Sequence, residues 1–289
     1  MTHAPKALQT ITAANPSPLT GPGTNSFLLG RDQIAVIDPG PDLPAHRAAI
    51  LAAAAGGRIT HILVTHAHLD HSQGAHALAQ ATGAPIFGFG PAEAGRSQIM
   101  QRLAQDGALA GGEGIDRDFT PDILLGDGER LETPEWSLTA LHTPGHFAGH
   151  LSFQWQDEIF CGDVVMGWSS TLISPPDGDL AEYYRALARL DAAGAARLRP
   201  AHGDPIDNPA ARIAELLAHR QLRTRQILQA LADGPANAAE LAARIYDIPP
   251  ALQPAATRNV LAHLIALTEE GQLRPENALT HDARFHLNR

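Results

Sequence analysis

The apolar run Ile59-Thr60-His61-Ile62-Leu63-Val64-Thr65 leads without a break into His66-Ala67-His68-Leu69-Asp70-His71. A short run rich in β-branched residues predicts a strand buried within a sheet. The three imidazoles and one carboxylate that follow therefore sit at the mouth of that sheet. On an extended backbone His66 and His68 point to the same side, whereas Asp70 and His71, where the chain turns into a helix, face a second point a few ångströms away. One segment thus supplies donors for two ions. Imidazole and carboxylate without thiolate suit Zn²⁺, with Fe or Mn²⁺ as alternatives, and two divalent metal ions about 3.5 to 4 Å apart are a recurring hydrolytic arrangement.

Three later residues complete the set, each closing a predicted strand beside glycine or proline: His146 in His142-Thr143-Pro144-Gly145-His146, Asp163 in Phe160-Cys161-Gly162-Asp163, and His202 in Pro200-Ala201-His202-Gly203. Such neighbours let the backbone turn sharply and approach a metal. His66, His68 and His146 form one ligand set and Asp70, His71 and His202 the other. Asp163 is left as a carboxylate able to bridge, with a hydroxide in the open position and Asp70 to manage its proton. Asp38 reads equally as a turn residue or as an acceptor for a ligand imidazole, and His150 as a residue that orients the site or satisfies a strand end. Trp168, Ser169, Ser170 and Thr171 are candidates to line the substrate pocket. His61, His76, His142, His219, His263 and His281 have no partner pattern and read as structural, and Cys161 as a small buried hydrophobe.

Around this centre the pattern is α/β. Residues 24–30 and 33–40 read as a hairpin, and Ala45 to Ala55 as a helix. His71 to Thr82 reads as one helix, and 84–89, 137–142, 150–155 and 157–161 as strands. Residues 92–118 are Gly- and Ala-rich with one helix around 97–106, a composition common in lids and binding loops. Leu180 to Ala193 is a further helix. From 208 the chain turns helical: Pro209 to Ala232, Ala238 to Tyr246 and Pro250 to Glu270, followed by 272–289 as the two strands of a wing. The expected division is therefore a catalytic domain over 1–207 and a winged-helix-like domain over 208–289.

At these residues the chain resembles the metallo-β-lactamase superfamily, whose signature is HxHxDH with separate later His, Asp and His ligands. Within it the chain is most similar to the lactamase-β-like-2 subfamily. That likeness rests on Gly23-Thr24-Asn25-Ser26-Phe27, Ile37-Asp38-Pro39-Gly40, Pro200-Ala201-His202-Gly203-Asp204-Pro205-Ile206 and the helix from His219-Arg220-Gln221 to Ile227-Leu228. The resemblance implies an αββα sandwich, a metal-bound hydroxide as nucleophile, and ester, thioester, lactam or phosphodiester substrates, including single-stranded RNA for some relatives.

Composition narrows the partners. The formal net charge is −10, and the segment from Ile206 to Arg289 carries nine Arg against nine acidic residues. A recognition helix over 254–270 offers Arg258 and His263 against Glu269 and Glu270, a poor match to phosphates, so duplex DNA is not an expected partner. A small molecule or a short nucleic acid is the expected substrate, and a homodimer is compatible with the tail. One cysteine excludes an internal disulfide. The N-terminus lacks a secretory pattern and no run reaches the roughly 20 apolar residues of a membrane span, so a cytoplasmic location is expected. The rival readings on the same donors are a glyoxalase II-type thioesterase, whose glutathione-binding pattern is not recognisable here, and an iron-dependent dioxygenase.

Overall fold

Strand alternation and helical crossovers set the architecture of the computed structural model, which describes residues 8–109, 111, 112 and 114–288. A six-stranded sheet runs in chain order through β1 (Leu8–Thr12), β2 (Asn25–Leu29), β3 (Gln33–Ile37), β4 (Arg58–Leu63), β5 (Ile86–Gly88) and β6 (Ile123–Leu124). β1, β2 and β3 are antiparallel neighbours, while β3 to β6 lie parallel. Parallel neighbours need a crossover. α1 (Pro44–Ala53) joins β3 to β4, and α2 (Leu69–Ser72) with α3 (Ala75–Thr82) joins β4 to β5.

The single helix expected over 71–82 is thus two, broken at Gly74. A Cβ there would lie 3.0 and 3.1 Å from the carbonyl oxygens of Gly40 and Pro39. The Asp38-Pro39-Gly40 turn runs against the helix at that point, and the Gly74 amide donates to Gly40 O across 2.9 Å. β1 was not expected from the sequence at all; its exposed, polar register against β2 carries little apolar signal.

After α4 (Gln98–Gln105), the second sheet has the order β11-β10-β9-β8-β7, built from β7 (Arg130–Glu132), β8 (Ser137–His142), β9 (Leu151–Trp155), β10 (Glu158–Gly162) and β11 (Arg197–Pro200). β7 to β10 are antiparallel, and α5 (Leu180–Ala192) carries the chain to β11, parallel to β10.

Because side chains alternate along a strand, β2 and β3 split their apolar residues between two cores. Phe27, Leu29, Ala35 and Ile37 meet Leu138, Phe153 and Phe160 of the second sheet. Leu28, Ile34 and Val36 face Ile50 and Leu78 of the covering helices. Beyond the second sheet, Ile159 and Leu198 lie beneath Tyr183 and Leu187 of α5 and Ile213 and Leu216 of α6 (Pro209–Ala232). The layers run helix, sheet, sheet, helix, the αββα sandwich.

The far half of α6 enters another core. Ile227 and Leu231 pack with Leu241 of α7 (Ala238–Ile245), Val260 and Leu264 of α8 (Gln253–Glu269), and Leu273 and Phe285 of the hairpin β12 (Leu273–Pro275) and β13 (Phe285–Leu287). This is the winged helix. Met100, Leu103 and Leu109 join the same core, so the segment after β5 is tied to the C-terminal module. Among the described residues no helix is long and apolar enough to cross a membrane.

Candidate metal centre

The parallel strands deliver their C-terminal ends to one edge of the sandwich, and all seven sequence-derived ligand candidates converge there. His66 Nε2 and His146 Nε2 stand 2.9 and 3.1 Å from His68 Nδ1. Beside them, Asp70 Oδ2 lies 3.4 Å from His71 Nε2 and 3.3 Å from His202 Nε2. Asp163 stands between the sets: its Oδ2 is 3.6 Å from both His71 Nε2 and His146 Nε2, and its Oδ1 is 3.4 Å from His202 Nε2. Donors about 2.0 to 2.2 Å from one tetrahedral ion are themselves about 3.3 to 3.6 Å apart, so the spacings around Asp70 and Asp163 suit a cation between them, while the three imidazoles at His68 stand closer than that. Two orphaned atoms point the same way. His71 Nε2 and Asp163 Oδ1 are buried without a hydrogen-bond partner, a state that buried polar groups seldom keep.

The remaining ring nitrogens are held from behind. Asp38 Oδ2 accepts the Thr65 hydroxyl at 2.8 Å and His71 Nδ1 at 2.9 Å, while its Oδ1 accepts the Thr65 amide at 2.8 Å. The Thr65 hydroxyl has one hydrogen, given to Asp38, so His66 Nδ1 must donate to Thr65 Oγ1 across 3.0 Å. His146 Nδ1 donates to Leu172 O at 2.6 Å, and His202 Nδ1 to Gly23 O at 3.1 Å. With Nδ1 donating outward, the Nε2 atoms of His66, His71, His146 and His202 all face the centre. Such outer partners fix ligand imidazoles in metal sites. Thr24 Oγ1 similarly donates to Asp70 Oδ2 across 3.1 Å.

Asp38 therefore stands where the sequence allowed it to stand, behind His71. His150 does not enter the cluster: its ring stacks on His66, its Nδ1 meets Thr143 Oγ1 at 3.0 Å, and its Nε2 accepts the Asp163 amide at 3.3 Å. Two glycines make room. At Gly162, φ is +48° and a Cβ would lie 2.3 Å from His150 Nε2; at Gly145, φ is +132° and a Cβ would lie 2.3 Å from Tyr183 Cα. Neither position accepts a side chain without displacing the loop that carries a ligand candidate.

Charge divides the cluster. Burial pushes His68 down to about 3 and holds His66 and His146 below the ordinary histidine range, so that half presents neutral imidazoles. Burial opposes protonation of His202 too, but Asp163 and Asp70 outweigh it and raise the ring to about 10. His71 is likewise raised, burial being overcome by Asp70, Asp163 and Asp38. The carboxylate-rich half therefore collects positive charge, as protons or as a cation.

Access is through a cavity of about 370 Å³ lined by His68, Asp70, His146, Asp163 and His202, with Leu19, Ser169 and Ser170 at its walls. Ser169 and Ser170 thus lie where the sequence suggested. Trp168 does not: its Nε1 donates to His202 O across 3.3 Å and its ring lines a different cavity. Thr171 is buried, donating to Asp163 O and Val164 O at 2.8 and 3.0 Å, because the loop needs its carbonyls satisfied. Thr65, Thr24 and the Leu172 and Gly23 carbonyls were missed by the sequence reading. Thr65 and Thr24 adjoin noted motifs and could have been found; a backbone carbonyl leaves no sequence signal.

Residues 19–202 match the metallo-beta-lactamase superfamily, and residues 238–278 the beta-lactamase associated winged helix domain. The chain is 30% identical to the beta-lactamase-like protein 2 homolog of Drosophila melanogaster, over 91% of this chain and 88% of that one. It is 29% identical to an atrochrysone carboxyl ACP thioesterase of Aspergillus fumigatus, over 83% and 74% of the two chains. A metallo-beta-lactamase family protein from Thermus thermophilus superposes with a TM-score of 0.78 at 27% identity, covering 97% of this chain and 98% of that one. The chain belongs to the metallo-beta-lactamase superfamily.

Proposed function

We propose that this superfamily member is a dinuclear metal-dependent hydrolase that cleaves an ester or thioester. The observation that carries the reading is the pair of donor sets, His66, His68 and His146 beside Asp70, His71 and His202, with the under-satisfied Asp163 carboxylate between them. Two divalent ions held there would lower the pKa of a shared water and polarise the scissile carbonyl. Zn²⁺ suits the imidazole-rich donor set, with Fe or Mn²⁺ as alternatives.

The chain's own groups then have defined tasks. Both Asp70 and Asp163 line the cavity, and the Asp70 side chain is the more open of the two, 28% exposed against 10%. Held by the Thr24 hydroxyl, it takes the proton of the attacking water and returns one to the leaving group. Water oxygen joins the carbonyl carbon, the C–O or C–S bond breaks, and the alcohol or thiol departs with that proton. The thioesterase name of the Aspergillus relative supports acyl chemistry over phosphodiester cleavage.

The test is a panel of esters, thioesters, lactams and phosphodiesters given to metal-replete full-length protein. Ester or thioester hydrolysis that chelation stops is the expected result. Turnover confined to phosphodiesters or lactams would overturn the substrate class, and oxygen uptake by iron-loaded protein without hydrolysis would overturn the reaction class.

A further inference from the structure

The cavity over the metal centre continues into a slot of about 360 Å³ that still touches His68 and His146 but is closed on its far side by the winged helix. Its walls are mostly apolar: Leu19, Ile115 and Leu172 from the sandwich, Leu252 and Pro254 from the start of α8. Arg258, one helical turn further along α8, lines the same slot. Its guanidinium donates to Ser174 Oγ across 3.0 Å. It also lies against Gly112, where an added Cβ would come within 3.2 Å of its terminal nitrogen.

Among the described residues Arg258 forms no ion pair. The one carboxylate that lines the slot among the described residues, Asp177, is already engaged: its Oδ1 accepts Arg96 Nε and Nη2 at 3.2 and 2.7 Å, and its Oδ2 accepts the Gly112 amide at 3.3 Å. An arginine with unused donors on the wall of an apolar slot is a specific receptor for an oxyanion, whose attraction is strengthened by the low-polarity surroundings. The protein as a whole carries a net charge of −10, so an anionic substrate is drawn in by this local cation and not by the global field.

We infer that the slot between the sandwich and α8 is an acyl-group site for an apolar acyl chain bearing its own carboxylate, and that Arg258 binds that carboxylate while the scissile carbonyl sits at the metal centre. This rests on the hydrolase reading and sharpens it to a substrate class. The apolar walls take the chain, the guanidinium takes its charged end, and the leaving alcohol or thiol extends toward the mouth near Ser169 and Ser170. Because Leu252, Pro254 and Arg258 all come from the C-terminal module, that module sets substrate choice.

Two measurements on full-length, metal-replete protein test this. The first compares p-nitrophenyl esters of graded acyl length that end in a methyl or in a carboxylate. The wild type should favour the carboxylate series at the length that spans the slot. Arg258→Gln should cut that preference about 10- to 100-fold, mainly through KM, with Arg258→Lys keeping part of it. The second is calorimetric titration with α,ω-alkanedicarboxylates and with alkanoates of equal length, where wild type should prefer the dicarboxylate and Arg258→Gln should not.

An unchanged preference in Arg258→Gln, or no preference in the wild type, overturns the assignment. Arg258-dependent binding of a dinucleotide phosphate without dicarboxylate binding overturns the acyl class. Failure of all esters to turn over, with the calorimetric difference intact, would contradict the hydrolase reading and leave the anion site standing.

Discussion

His71 donates its Nδ1 hydrogen to the Asp38 carboxylate across 2.9 Å, and Asp38 receives it from a left-handed backbone conformation with φ of +50°. A non-glycine residue seldom holds that conformation unless its surroundings fix it. Here the surroundings are Thr65, which binds both carboxylate oxygens, and Ser26, whose hydroxyl donates to the Asp38 carbonyl.

Asp38→Asn should therefore weaken metal binding by about 10- to 100-fold with the fold intact. An amide cannot accept at both of its ends, so it must abandon either the Thr65 amide or the His71 ring. Competition with a calibrated chelator measures this. Unchanged affinity would show that Asp38 shapes a turn and nothing more.

Arg220 on α6 is buried, has no carboxylate partner among the described residues, and reaches Thr171 O and Asn259 Oδ1, while Asn259 also accepts the Ile173 amide. These contacts bracket Leu172, whose carbonyl orients His146. Arg220→Met should lower stability by about 1 to 3 kcal/mol, since it leaves buried acceptors unmet, with some relief from removing a buried charge. It should also quicken metal loss. A urea midpoint and a metal-release rate matching wild type would refute the link between winged helix and centre.

His263 of α8 is buried, with Nδ1 on Thr224 Oγ1 at 2.9 Å, and burial first, then Arg220, lowers its pKa from 6.5 to about 3. Between those values the unfolded chain binds the extra proton, so this contribution to stability is complete above pH 6.5 and is lost as pH falls toward 3. His263→Gln should flatten the acid limb of stability by up to about 1.4 kcal/mol per pH unit relative to wild type. Parallel limbs in the two proteins would contradict the assignment.

The winged helix should not bind duplex DNA. Of its nine arginines, Arg212 and Arg284 pair with Glu215 and Glu240, Arg220 is buried, Arg223 lies over the Tyr246 ring and Arg258 lines the slot. Phosphate contacts need a face of free cations, about six to ten for firm binding. Titration of the full chain with random duplex at physiological salt should show no saturable binding. Micromolar affinity that falls steeply with added salt would reverse this view.

The sequence disclosed the ligand candidates because their types and spacing are chemically narrow: His66-Ala67-His68-Leu69-Asp70-His71 at a strand end has few other uses. The sandwich was legible through short apolar runs closed by glycine at β2 and β3 and through strands alternating with helical segments, and the winged helix through three helical runs and a hairpin. What stayed hidden depends on tertiary approach. The break at Gly74 is set by the Pro39-Gly40 turn beside it, and Trp168 leaves the substrate wall because Gly21 and Gly203 open space for its ring on the other side of His202. Arg258 could not be read as a slot residue while its helix read only as a candidate DNA reader.

The proposed hydrolysis requires two ions acting together at one site. The most direct measurement is a titration of metal-free, full-length protein with Zn²⁺, following bound metal by elemental analysis and hydrolysis of the best substrate in the same samples. Uptake of about two ions per chain is expected, with hydrolysis rising to its plateau only as the second is filled. Saturation at one ion per chain with full activity would contradict that requirement.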